Sequence, residues 1–299
     1  MTLTPNPVLK KLGLAENDRL AIIHTDDIGM CQASVEAFAD LNEVGIISSG
    51  AVMVPCPWFL QAAEYMRQHP AADLGVHLTL TSEWKTYRWG PVSTRDPASG
   101  MLDAEGYFHH SSAAAQEHGD TAAVEAELTA QVQKALEAGI TPTHVDTHMG
   151  AVAHPKFMSI YIQLALKFHL PPMIFRLDEA GWRAAGLDAE LAAMAAALVQ
   201  QLEESGLPLL DMLGGMHLDS PENRMERMKK ALAELKPGIT HFIIHPSKDT
   251  PELRAITPDW QCRVADFNIF MNEEIRRYIK DIGLHVIGYR ALKDLMPAA

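Results

Sequence analysis

A chain of 299 residues with 47% apolar and 21% charged residues sits in the ordinary globular range, which excludes a wholly disordered or fibrous protein. Its net charge of −13 argues against nonspecific binding to nucleic acid or anionic lipid, and no run of about 18 apolar residues is present for a membrane span. The expected partner is a small neutral or weakly charged molecule.

Met1 to Lys11 carries neither a seven-residue apolar stretch nor a small-residue cleavage site, so no secretory leader is expected. The three cysteines, Cys31, Cys56 and Cys262, are far apart and form no CxxC pair. They read as reduced thiols of a cytoplasmic protein, without the setting of a nucleophile.

Apolar runs of strand length alternate with longer stretches of helical period, the pattern of a parallel sheet wrapped by helices. The first predicted strand, 19–25, stops at Asp26-Asp27-Ile28-Gly29 and delivers two adjacent acids to the rim of a sheet. A helix over 32–43, a strand over 46–54 and a helix over 58–68 follow. The strand predicted at 74–80 carries His77. A long connection, 81–120, then brings Trp84, Tyr87, Trp89, Tyr107, Phe108 and three histidines among Pro, Gly and Ser. Loops of this length are usually lids or binding loops, so aromatics such as Trp89 are candidates to stack on a sugar face, or else to pack the loop down.

Asp120 and Gly139 punctuate a helix predicted over 121–138. The strand after it, 143–147, carries His144 and Asp146 and leads to His148. A helix over 156–168 precedes a strand over 173–177 with Arg176, and a helix over 188–204 precedes a strand over 207–213. Ser220-Pro221-Glu222 is read as the cap of a helix over 221–235. A strand over 241–245 ends at His245-Pro246, a second long loop spans 246–266 with Trp260 and Arg263, and a helix over 267–282 and a strand over 285–289 close the chain. Eight such repeats predict one α/β domain over 1–299, a closed or partly closed (β/α) barrel. No Gly-rich fingerprint follows the first strand, which disfavours a dinucleotide fold.

In a parallel barrel, polar residues at the C-terminal strand ends make the site. One carboxylate and two imidazoles suffice for a catalytic divalent metal that keeps positions open for water and substrate. His144 and His148 cannot both reach one ion from a single strand, since four residues span about 13 Å. Pro142 argues against rewinding the segment as a helix, so His148 is the better ligand and His144 a supporting or strand-core residue. Asp26 and Asp27 pose a similar problem, because neighbours in a strand point to opposite faces; a turn toward Gly29 would bring both to one site.

Four motifs in order, Thr25-Asp26-Asp27-Ile28-Gly29, Gly75-Val76-His77-Leu78-Thr79-Leu80, Thr143-His144-Val145-Asp146-Thr147-His148 and His245-Pro246, resemble the signatures of the YdjC/ChbG carbohydrate deacetylases over about residues 19 to 290. The resemblance implies a distorted (β/α) barrel of the glycoside hydrolase/deacetylase type that removes acetyl groups from N-acetylated sugars with one divalent metal, Mg²⁺ or Zn²⁺ first. It makes Asp27, His77 and His148 the metal ligands, Asp26 the general base and His245 the general acid. Asp146 or Arg176 would orient the groups around them. Family members are commonly dimeric, so a homodimer is allowed for. Two positions depart from the pattern: Gly150 stands where the family often has another histidine, and Thr25 where it often has alanine. The same Asp/His/His set would also serve a metal-dependent phosphoesterase or other hydrolase, a sugar isomerase or epimerase is a weaker rival, and a noncatalytic sugar-binding barrel could keep the scaffold.

Overall fold

The computed structural model describes residues 5–297. Among the described residues, seven parallel strands form one sheet: β1 (Arg19–Ile28), β2 (Ser49–Val52), β3 (Leu74–Leu78), β4 (Val145–Thr147), β5 (Met212–Gly215), β6 (Gly238–Ile244) and β7 (His285–Val286). The order is β4-β3-β2-β1-β6-β5, and β7 pairs with the start of β1 at Leu20 and Ala21. Between β4 and β5 only isolated bridges join the chain, Val145 to Pro172 and Phe175 to Leu210. The sheet is thus a curled, distorted barrel. The strand expected at 173–177 is reduced to these bridges, and the amides of Ile174 and Leu177 bond locally to the carbonyls of Pro172 and Phe175 instead of extending a ladder.

Nine of the ten residues of β1 are buried, as expected for a parallel strand covered on both faces. Helices pack outside it, and several end where the sequence punctuates them. Asp120 accepts from the Ala123 amide at the start of Thr121–Glu137, and Gly139 takes the left-handed conformation just beyond its end.

Three expectations are corrected. The helix expected from Pro221 begins at Arg224, after a left-handed Asn223, because Arg224 is anchored by a buried ion pair to Asp266 and a bond to the His217 carbonyl. The helix expected over 267–282 is two, Trp260–Met271 and Glu273–Asp281, broken where the Asn272 side chain caps the second. The 246–266 segment is accordingly not a long loop, since it also holds the helix Pro251–Ile256 capped by Thr250. The 81–120 connection is longer and more irregular, but it has its own packing. Trp89, Met101 and Phe108 are buried, and Ser112–His118 is helical.

Candidate metal and catalytic site

The two acids reach one site through a local break in β1. Asp27 has φ +61°, a left-handed conformation that Asp tolerates better than most residues, and the pairing of β1 with β2 slips between Thr25 and Ile28. The slip turns the backbone so that neighbouring carboxylates face the same place. His148 arrives by a similar device: the chain leaves β4 into a short 3₁₀ turn in which Met149 has φ +51°.

Asp27, His77 and His148 converge. Asp27 Oδ1 lies 3.6 Å from His77 Nε2 and 3.1 Å from His148 Nδ1. Ligands bound at about 2.0–2.2 Å around one ion stand roughly 3.0–3.5 Å apart, so these separations fit a shared cation. Asp27 Oδ1 is buried without a well-formed hydrogen bond, while Oδ2 accepts from Arg263 Nη1 at 2.7 Å. A buried carboxylate oxygen left over between two imidazoles is the observation that favours a metal here.

The other nitrogens of both rings are held by carboxylates, His77 Nδ1 by Asp146 Oδ1 at 2.8 Å and His148 Nε2 by Glu83 Oε2 at 3.1 Å. With those nitrogens donating, the lone pairs of His77 Nε2 and His148 Nδ1 face the ion position. Glu83→Gln is expected to weaken metal binding about 10- to 100-fold, read by titration with a metal indicator; unchanged affinity would remove Glu83 from this role.

Electrostatics match the arrangement. Burial opposes charge on Asp27, but Arg263 and the two imidazoles outweigh it and hold the carboxyl well below the usual range. Burial also works against charge on His148, yet Glu83 and Asp27 raise it to about 9, and Asp146 and Asp26 likewise hold His77 well above its ordinary value.

Asp26 stands beside this set. Its Oδ1 is bonded to His24 Nδ1 at 2.7 Å, and its Oδ2 lies 3.8 Å from His77 Nε2 and 3.9 Å from His245 Nε2. The backbone amide of His245 donates to Asp266, which the buried Arg224 holds in turn. A carboxylate and an imidazole therefore face the same space at the rim.

The remaining expected residues lie outside this set, His144 in the strand core as expected. His144 sits inside the barrel, stacked on Tyr289 with ring centroids 3.7 Å apart. Arg176 is not brought to the site. It is buried against Glu203 and Asp211, and Asp211 accepts from the amide of Ile239 near the start of β6, the opposite end of the barrel. Trp89 is only 3% exposed, so it offers no free face to a sugar in this conformation. Its indole donates to the Thr81 carbonyl and its ring packs edge-on against His148. Glu83, Arg263 and His24 were not singled out as site residues from the sequence. Glu83 lies in the long 81–120 connection, where no periodicity marks it, Arg263 lies in the helix Trp260–Met271 within a segment that reads as a loop, and His24 reads as a member of an apolar strand.

His24, Asp26, Asp146 and His241 also approach one another. Both ring nitrogens of His24 are taken, however, by Asp26 and by His144 Nε2 at 2.9 Å, so this inner set is a hydrogen-bond network rather than an open ligand set. Gly75 exists to admit it: a Cβ there would lie 2.4 Å from the His144 ring. Gly75→Ala is expected to destabilise the fold by about 1–3 kcal/mol in chemical denaturation, and an unperturbed midpoint would show that the ring has room to move. The three thiols take no part. All are buried, and burial pushes Cys31 up to about 11.

Residues 20–281 match the family model described as YdjC-like protein. A carbohydrate deacetylase of Thermus thermophilus is 33% identical over 289 residues, covering 97% of this chain and 99% of that one. A carbohydrate deacetylase of Thermoanaerobacter pseudethanolicus is 24% identical over 272 residues, covering 91% and 98%. A crystal structure of an Enterococcus faecalis protein, of proposed role in cellobiose-phosphate cleavage, superposes with a TM-score of 0.73 at 23% identity and covers 92% of this chain and 99% of its own.

Proposed function

The chain belongs to the YdjC-like protein family, and from that membership and the site geometry we propose that it is a metal-dependent hydrolase that removes acetyl groups from N-acetylated sugars. The observation that carries the reading is the convergence of His77 Nε2 and His148 Nδ1 on the unsatisfied Asp27 Oδ1, with Asp26 and His245 paired beside it. The Thermus relative, named a carbohydrate deacetylase and aligned over nearly its whole length, supports the substrate class.

Asp27, His77 and His148 would hold one divalent ion; of the two expected, Zn²⁺ suits two imidazoles and a carboxylate, whereas Mg²⁺ prefers oxygen ligands. When bound, such an ion supplies a Lewis acid that polarises an acetyl carbonyl and acidifies water. The chain's own groups do the rest. Asp26 Oδ2 takes a proton as water attacks, since its other oxygen is committed to His24. His245 Nε2, across 3.9 Å from that oxygen, gives a proton to the departing amine. Asp146 and Glu83 keep the two ligand imidazoles in the tautomers the site needs. Arg263 balances Asp27 from the side away from the imidazoles.

The direct test is acetate release from a panel of N-acetylated mono- and oligosaccharides, before and after dialysis against a chelator. Activity that falls at least 10²-fold on chelation and returns with a divalent metal supports the reading. Release of phosphate from sugar phosphates instead of acetate would favour a phosphoesterase, and a protein that binds no metal and turns over nothing would be a noncatalytic barrel.

A further inference from the structure

The barrel interior beneath the site carries an unusual polar load. His24, His144 and His241 are each 0% exposed and gather around Tyr289. One unbroken chain of hydrogen bonds crosses this interior. It runs from Asp26 Oδ1 to His24 Nδ1 at 2.7 Å, from His24 Nε2 to His144 Nε2 at 2.9 Å, from His144 Nδ1 to Thr143 Oγ1 at 3.0 Å, and from Thr143 Oγ1 to Asp73 Oδ1 at 2.6 Å. Asp73 immediately precedes β3, at the end of the barrel away from the acids.

The direction of every bond follows from Asp73. Its carboxyl accepts from Ser49 Oγ, from Thr143 Oγ1 and from the Arg290 backbone amide. A hydroxyl has one proton, so Thr143, having given it to Asp73, must accept from His144. His144 then carries its hydrogen on Nδ1 and offers a lone pair at Nε2. Burial, with His24 and His241 nearby, keeps His144 neutral, which leaves it the single hydrogen this pattern requires. The lone pair on His144 takes the Nε2 hydrogen of His24, and the Asp26 carboxylate, an acceptor only, takes a second hydrogen from His24 Nδ1, so His24 donates from both nitrogens and is held in one fixed orientation.

We propose that His24 is a positioning residue for Asp26, with its ring orientation set through His144 and Thr143 by Asp73. The inference rests on reading Asp26 as the proton acceptor of the hydrolysis. Its physical content is that the carboxyl of Asp26 is pinned by Oδ1. Only Oδ2 remains toward His77 and His245, and the group does not swing to join Asp27 as a further metal ligand. A base displaced by about 1 Å loses on the order of 10²-fold in rate.

Thr143 is the place to test this, because it touches none of the metal or proton-transfer residues. Thr143→Val keeps the shape and removes the hydroxyl, while Thr143→Ser keeps the hydroxyl. The expected result is a kcat for acetate release about 10- to 100-fold lower in Thr143→Val, with KM and metal content unchanged, and recovery to within about threefold of wild type in Thr143→Ser. A Thr143→Val protein with wild-type kcat overturns the proposal. So does one that loses kcat, KM and metal together, or a Thr143→Ser protein as impaired as Thr143→Val, since either result marks a packing role. Histidine ¹⁵N spectra of the metal-free wild type and of both variants give a readout that needs no turnover. His144 is expected as the Nδ1-protonated tautomer in wild type and Thr143→Ser but not in Thr143→Val. An Nε2-protonated His144 in wild type overturns the relay, whereas absence of acetate release with the expected spectra counts against the functional reading alone.

Discussion

Replacing Asp26 by Asn is expected to lower kcat for acetate release by about 10³-fold while leaving metal content at the wild-type level. The substitution is nearly isosteric and keeps a carbonyl oxygen for His24, so the bond at Asp26 Oδ1 has a substitute. What it removes is a basic oxygen at the position facing His77 and His245. Burial disfavours the charge on Asp26, but the fields of His77 and His24 and the His24 hydrogen bond prevail and hold the carboxyl below its usual range. It is therefore ionised at neutral pH and available to accept a proton. The same change one residue later, Asp27→Asn, is expected to cost the metal, because Asp27 Oδ1 is the atom shared between the two imidazoles. Metal analysis beside the acetate assay separates the two outcomes. An Asp26→Asn protein of near-normal activity would mean that another group takes the proton.

That two adjacent acids should fail in different ways was legible in the sequence as a question, not as geometry. The alternation of apolar runs with helical stretches overlaps all seven strands, the one expected at 207–213 lying at Met212–Gly215, because buried parallel strands are apolar along their length and Gly, Asp and Ser punctuate the turns. Periodicity does not report backbone strain, so the left-handed Asp27 and the slip against β2 that aim both carboxylates inward could not be read from it. The strand geometry that set His148 apart from His144 agrees with their placement, one at the rim and one inside the barrel. Arg176 misled because a charged residue in a predicted strand says nothing about which end of the barrel it occupies. Its partners, Glu203 and Asp211, come from chain segments 27 and 35 residues away. Trp89 is open to two readings in the sequence, because an aromatic loop reads the same whether it waits for a sugar or packs the loop down, and here it is buried against His148. Glu83, Arg263 and the inward ring of His24 owe their roles to contacts across the fold, with sequence separations as long as the 236 residues between Arg263 and Asp27.

His148→Ala is expected to abolish stoichiometric metal binding, and with it activity, whereas the wild-type protein should release close to two protons for each ion bound near pH 7. The charge states of the two imidazoles decide both outcomes. A metal needs their lone pairs, so each must be neutral when it binds. In the metal-free protein burial opposes their charge, but Glu83 and Asp27 raise His148 to about 9, and Asp146 and Asp26 hold His77 well above its usual value, so both are charged at pH 7. Ion uptake must expel those protons, and affinity should climb with pH until it passes about 9 for His148. The stability of the metal-free fold runs the other way. A histidine whose folded value is raised contributes fully below its unfolded value near 6.5, and that contribution is lost as pH rises through about 9. Raising pH should therefore loosen the metal-free protein while tightening its hold on the ion. Calorimetric titration with one metal, in buffers of different ionisation enthalpy, reads the proton count directly. A binding heat independent of buffer would show that the two imidazoles are already neutral, and the ion-pair account of the site would be wrong even if the ligands are right.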